Sequence, residues 1–237
     1  MAIRYDETPL WKRTLGANSD DVRISSGLGL LRSTFETAHE RIQPIVRQAH
    51  HDCRGLTIHD ESHLDALWQM ADLIAGSDYP LNPLEAFIFG CSILFHDSAL
   101  AISAYAGGLD ELKTSPEWTK AESQFLAPKR SLRVPGKKAL DPKFEKALIF
   151  QVLRELHANQ ASKMPEMRWK KNDSDDDIYI IEDTELRDYY GQVIGRIAQS
   201  HHWDIERVSR EFSTKRAPPP NLPAEWHLNE LKVACLL

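Results

Sequence analysis

Residues 82–100 read NPLEAFIFGCSILFHDSAL, and the rest of the chain is best understood from this stretch. Asn82 can cap a helix, Pro83 suits its first position, and Glu85 falls where a capping box needs an acid. From Leu84 onward the stretch is apolar on almost every side, so the helix it forms must be central and buried. It stops on His96–Asp97. Burying an imidazole beside a carboxylate is costly unless something pairs with them. The question for the whole chain is what those two side chains hold.

The flanking sequence also reads as helix. From Leu30 to about Cys53, Phe35, Ala38, Ile42, Ile45 and Val46 fall on one side, and Pro44 predicts a kink or a break. Residues 1–30, with Gly27 and Gly29, read as irregular. A further helix, capped by Asp60 or Ser62, carries Leu64, Leu67, Trp68, Ala71, Ile74 and Ala75 at helical spacing and stops at Gly76. Residues 105–141 are mixed and include an exposed basic loop, PKRSLRVPGKKALDP at 128–142. Asp141–Pro142 starts a helix that runs to about Lys163. The segment KKNDSDDDIYIIED at 170–183 reads as a charged loop followed by a short apolar run. Its acids, Asp173, Asp175, Asp176 and Asp177, lack the glycine and closing glutamate of a calcium loop and read as solvated. Another helix runs from Asp183–Thr184 to IAQSHHWD, RAPPPNLP makes a rigid turn, and AEWHLNELKVACLL is a last helical segment. The expected fold is an all-α helical bundle with at most a small β element near 176–182. The expected organisation is an N-terminal extension, 1–34, and one domain, 35–237.

Composition narrows the function classes. The 237 residues are 42% apolar and 27% charged with a net charge of −6, which is ordinary for a globular protein and argues against a nucleic-acid-coating one. Cys53, Cys91 and Cys235 have neither metal-knuckle nor redox-pair spacing, and a reducing cytoplasm fits them. The N-terminus, MAIRYDETPLWKR, has no apolar signal core, and no apolar run approaches the ~20 residues that span a bilayer.

The histidines give the buried pair its context. His63 opens its helix at the edge of the apolar face. His157 follows Ile149 and Leu153 along an apolar line. His201 follows Leu186, Tyr190, Val193 and Ile197 on an inward stripe, and His202 lies about 100° further round. A single inward histidine is most often a core residue bonded to a carbonyl. Four helices each sending an imidazole inward, beside an adjacent His–Asp pair, point instead to a shared metal, because neutral imidazole and carboxylate both suit transition metals. His39, His50, His51 and His227 have no such context and read as surface or packing residues.

At these residues the chain resembles the HD superfamily of metal-dependent phosphohydrolases. HLDALWQMADLI supplies the opening histidine, ILFHDSAL the doublet, and LRELHANQASKM and IAQSHHWD two additional histidines. The entry TIHDESH and the segment LRELHA are similar to HD domains that stand N-terminal to gyrase/histidine-kinase-type ATPase modules. The resemblance implies an all-helical HD fold. It implies one or two divalent transition metal ions, such as manganese, iron or zinc, held by His63, His96, Asp97, His157 and His201, with His202 an alternative to His201. Asp97 and His157 become the expected catalytic residues, and His59, Arg154 and His202 the expected substrate contacts. The implied substrate is a nucleotide or another phosphate ester. The alternative is a nucleotide- or metal-sensing module that controls a C-terminal effector such as an ATPase. The family's closing aspartate usually follows a phrase like LLRxAD, where this chain reads LKVACLL. The expectation is therefore a chain truncated before that ligand, with Asp204, Asp60 or water as candidates for its place.

Overall fold

The computed structural model describes residues 3–53, 61–126, 142–170, 177–212 and 215–237. His59, Asp60, the basic loop, and Asp173, Asp175 and Asp176 lie outside the described residues. The helices are α1 (Pro9–Arg13), α2 (Val22–Asp52), α3 (Glu61–Ala75), α4 (Pro83–His96), α5 (Gly108–Thr114), α6 (Pro116–Leu126), α7 (Pro142–Ala161), α8 (Thr184–Ser200), α9 (Ile205–Glu211) and α10 (Glu230–Ala234). Two short strands, β1 (Trp169–Lys170) and β2 (Asp177–Ile178), pair antiparallel. Among the described residues the fold is thus an all-α bundle with a small β element. None of the helices is long and apolar enough to cross a membrane, among the described residues.

The central helix forms as its sequence dictates. The Asn82 side chain accepts from the Glu85 amide at 3.0 Å, and the Glu85 carboxylate accepts from the Asn82 amide at 3.0 Å. Every residue from Leu84 to His96 is buried. The helix packs between α2 and α8. Gly90 permits the closest approach. A β-carbon there would stand 2.6 Å from Trp68 and 2.7 Å from Phe35, so α2 and α3 pack onto α4 through its missing side chain.

Helix α2 differs from expectation in where it starts, and of the kink or break expected at Pro44 the break is absent. It begins at Val22, where the Asp21 carboxylate accepts from the Arg23 and Ile24 amides, and it runs unbroken for 31 residues. Pro44 does not divide it. Pro44 and Glu40 both face solvent, so water can satisfy the carbonyl that a proline leaves without its partner. Residues 5–13 are not irregular either. A 3₁₀ turn, Tyr5–Glu7, and α1 bury Tyr5, Leu10 and Trp11, and Leu15 is buried just after α1. Tyr5, Trp11, Phe35 and Trp68 form an edge-to-face cluster, with Trp11 and Trp68 centroids 5.6 Å apart. Helix α3 buries Leu64, Trp68 and Ala71, whereas Ile74, expected on that face, is 64% exposed. The buried stripe is narrower than the apolar pattern.

The C-terminal segment is clasped to the start of α4. Glu85, 1% exposed, pairs with Lys232 at 2.5 Å and accepts from the Asn229 amide at 3.1 Å. Asn229 in turn caps α10 through the Lys232 amide. Helix α8 is capped by Asp183 and lies across α4 and α7.

Candidate metal centre

Helices α4, α7 and α8 end near one point, and each brings a histidine there in its last turns. The local geometry repeats. His96 Nδ1 lies 2.7 Å from the Ile93 carbonyl, His157 Nδ1 2.8 Å from the Arg154 carbonyl, and His201 Nδ1 2.6 Å from the Ala198 carbonyl. A carbonyl only accepts, so Nδ1 carries a proton in all three rings. The tautomer is thereby set, and in the neutral ring the lone pair sits on Nε2.

The three Nε2 atoms converge on Asp97. Its Oδ2 is 2.9 Å from His96 Nε2 and 3.9 Å from His63 Nε2. Its Oδ1 is 3.6 Å from His157 Nε2 and 3.7 Å from His201 Nε2. One carboxylate therefore serves two sets of imidazoles with its two oxygens. The ligand atoms of His63, His96 and Asp97 lie within 4.8 Å of one another, and so do those of His157, His201 and His202. His96 and His157 are buried, His63 and His201 half-buried, and His202 exposed at the rim. The His202 ring stands 4.4 Å from His201 and 4.6 Å from His157.

The electrostatics favour an added cation. Burial lowers the pKa of His157 against the pull of Asp97, and it pushes His201 down to about 4. Both rings are then neutral at pH 7. Their Nε2 atoms nonetheless face each other at 3.2 Å, and both already hold a proton on Nδ1. Two lone pairs pressed together beside a carboxylate repel. A divalent ion placed among them turns that repulsion into ligation, and the donor set of imidazole and carboxylate suits manganese, iron or zinc. The Nδ1 bonds to backbone carbonyls are the supports that orient metal-binding histidines. His96 behaves differently. Burial lowers its pKa, but the Asp97 charge and hydrogen bond and the Ile93 carbonyl outweigh this and raise it. The 2.9 Å contact between His96 Nε2 and Asp97 Oδ2 thus favours the protonated ring, the form that an incoming cation would have to displace.

The sequence-predicted residues separate cleanly. His63, His96, Asp97, His157, His201 and His202 are brought together. Arg154 is exposed one turn from His157, its guanidinium 5.8 Å from the Phe150 ring. His59 and Asp60 lie outside the described residues. Asp204, a candidate for the closing ligand, caps α9 by accepting from the Arg207 amide at 2.7 Å and is absent from both ligand groups. His39 packs against Tyr5 and Gln43, as expected.

Other positioning residues carry no signal in their spacing. Gln199 donates to Asn159 at 2.5 Å and ties α8 to α7 beside the His157–His201 pair. Gly195 lets α8 press on Ser162, whose carbonyl oxygen would be 2.1 Å from a β-carbon. At the end of α2, Asp52 accepts from the Ile102 amide at 2.8 Å.

No curated protein and no solved structure matches the chain. The model of the HD-CE family matches residues 52–237, the stretch that contains all six clustered residues. With the opening histidine, the His–Asp doublet and the two later histidines gathered around one carboxylate, the chain belongs to the HD-CE family.

Proposed function

We propose that the protein is a metal-dependent phosphohydrolase acting on a nucleotide or a related phosphate ester. The observation that carries this reading is Asp97, whose two oxygens face two imidazole sets already oriented by their own backbone bonds. His63, His96 and Asp97 would hold one divalent ion. His157 and His201, with His202 at the rim, would hold a second through the other Asp97 oxygen. Bound there, such ions supply a water of lowered pKa and polarise a phosphoryl oxygen.

The chain's own groups do the rest. Asp97 fixes the charge balance of the centre and orients the nucleophile. Burial keeps His157 and His201 neutral, so they act as lone-pair donors at pH 7. Exposed His202 and Arg154 would meet the phosphate from the solvent side, where an arginine can bind bidentately.

The test is elemental analysis paired with hydrolysis of generic phosphomonoester and phosphodiester substrates. Asp97→Ala should lose both metal and activity. If that variant keeps its metal content and changes only in stability, Asp97 is a packed structural carboxylate and the reading fails.

A further inference from the structure

One side of α7 leads away from the metal centre. Phe150, Arg154 and His157 stand at i, i+4 and i+7, so they share a face of the helix. The run from His157 back to Phe150 is about 10 Å long. At its far end is a cleft of about 410 Å³, walled by His51 and Asp52 from the last turn of α2, by Ile102, and by Lys146, Ile149 and Phe150.

This wall is held firmly. Asp52 Oδ2 accepts from the Ile102 amide at 2.8 Å, and Oδ1 accepts from the Gln48 side chain at 2.9 Å. The cleft has the size range of small-molecule sites. Ile102, Ile149 and the Phe150 ring offer apolar surface, while Asp52, His51 and Lys146 offer polar groups around it. Such a lining suits a flat group that is apolar on its faces and polar at its edges. Exposed Arg154 stands between Phe150 and His157 along this face of α7, its guanidinium 5.8 Å from the Phe150 ring.

We infer that this cleft takes the base of a nucleoside phosphate, with Phe150 against the ring and Arg154 on the phosphate, so that phosphorus points to Asp97. The inference rests on the phosphohydrolase reading above and adds the substrate's orientation and the residues that select it.

The experiment compares two probes on the manganese-loaded protein by calorimetry. They are the non-hydrolysable phosphonate analogues of AMP and of ribose 5-phosphate, which differ only in the base. The AMP analogue should bind about tenfold tighter or better, the lower range of one base–aromatic stack. Phe150→Leu keeps the apolar bulk and removes the flat face. It should erase most of that preference and leave the ribose analogue unchanged, which also shows that the variant is folded. Arg154→Ala should weaken both probes by a similar factor. Equal binding of the two probes to the native protein would overturn the inference, as would a Phe150→Leu effect that is the same for both. Manganese content and inorganic phosphate binding on the same samples separate the two levels. If both hold and no base preference appears, only the cleft assignment falls. If the native protein takes up neither, the phosphohydrolase reading falls with it.

Discussion

Gly195→Ala tests how the fold positions the candidate metal centre. The added β-carbon would stand 2.1 Å from the Ser162 carbonyl oxygen, 2.8 Å from its carbon and 3.0 Å from its α-carbon. All three are backbone atoms, so no rotamer change relieves the clash. Restoring ordinary contact needs about 1 Å of separation between α8 and the end of α7. Overpacking of this kind costs about 1–3 kcal/mol. For a chain of this size that lowers the melting temperature by roughly 2–12 °C. The same displacement acts on the site, because His157 and His201 flank this contact on the two helices and their Nε2 atoms are 3.2 Å apart. Metal ligation tolerates only about 0.2 Å of error. Manganese affinity at the His157–His201 side should therefore fall about 10–100-fold, the range for disturbed ligand supports. Thermal melts by circular dichroism and manganese titration of the variant check both parts. A Gly195→Ala protein with native stability and native metal affinity would refute the claim that this close approach sets the site.

Further outcomes follow from buried charge. In the metal-free protein, His201 has a folded pKa of about 4 against an unfolded value of about 6.5, so the unfolded state binds more protons between them. Its stability contribution is complete above about pH 6.5 and is lost as pH falls toward 4, by up to ~1.4 kcal/mol per pH unit. His157, also lowered, acts with the same sign. His96, raised, opposes them, since its contribution is complete below its unfolded value and is lost as pH rises through the folded one. Urea unfolding of metal-free protein at several pH values should show a steep acid loss that His201→Asn flattens; an identical profile in the variant would contradict the assignment. At the clasp, Lys232→Ala leaves the Glu85 carboxylate buried without its ammonium, and chemical denaturation should show a loss of about 3 kcal/mol.

The parts of this molecule legible in sequence are those governed by local periodicity and capping. Asn82, Pro83 and Glu85 announced α4, and Asp183 announced α8, because a cap and its first turn lie within a few residues of each other. The histidines were legible for the same reason, each sitting at a helix end or on an apolar stripe. What failed depended on partners distant in the chain. Helix α1 is too short to show a period, and it is held by Phe35 and Trp68 rather than by its own pattern. Of the kink or break that Pro44 suggested, the break is absent, and Pro44 lies on the solvent face of a continuous α2. Ile74 looked buried only because the pattern cannot say which sides of α3 have neighbours. Within the site, spacing gave the residues but not their division. That Asp97 turns one oxygen to His63 and His96 and the other to His157 and His201 is a fact of tertiary geometry.

That division is the central claim, and manganese stoichiometry tests it most directly. Native protein, His201→Ala and Asp97→Ala would be loaded, dialysed and measured by elemental analysis. Two ions per chain are expected in the native protein, one in His201→Ala, and none retained in Asp97→Ala. An Asp97→Ala protein that holds as much manganese as the native chain would contradict it.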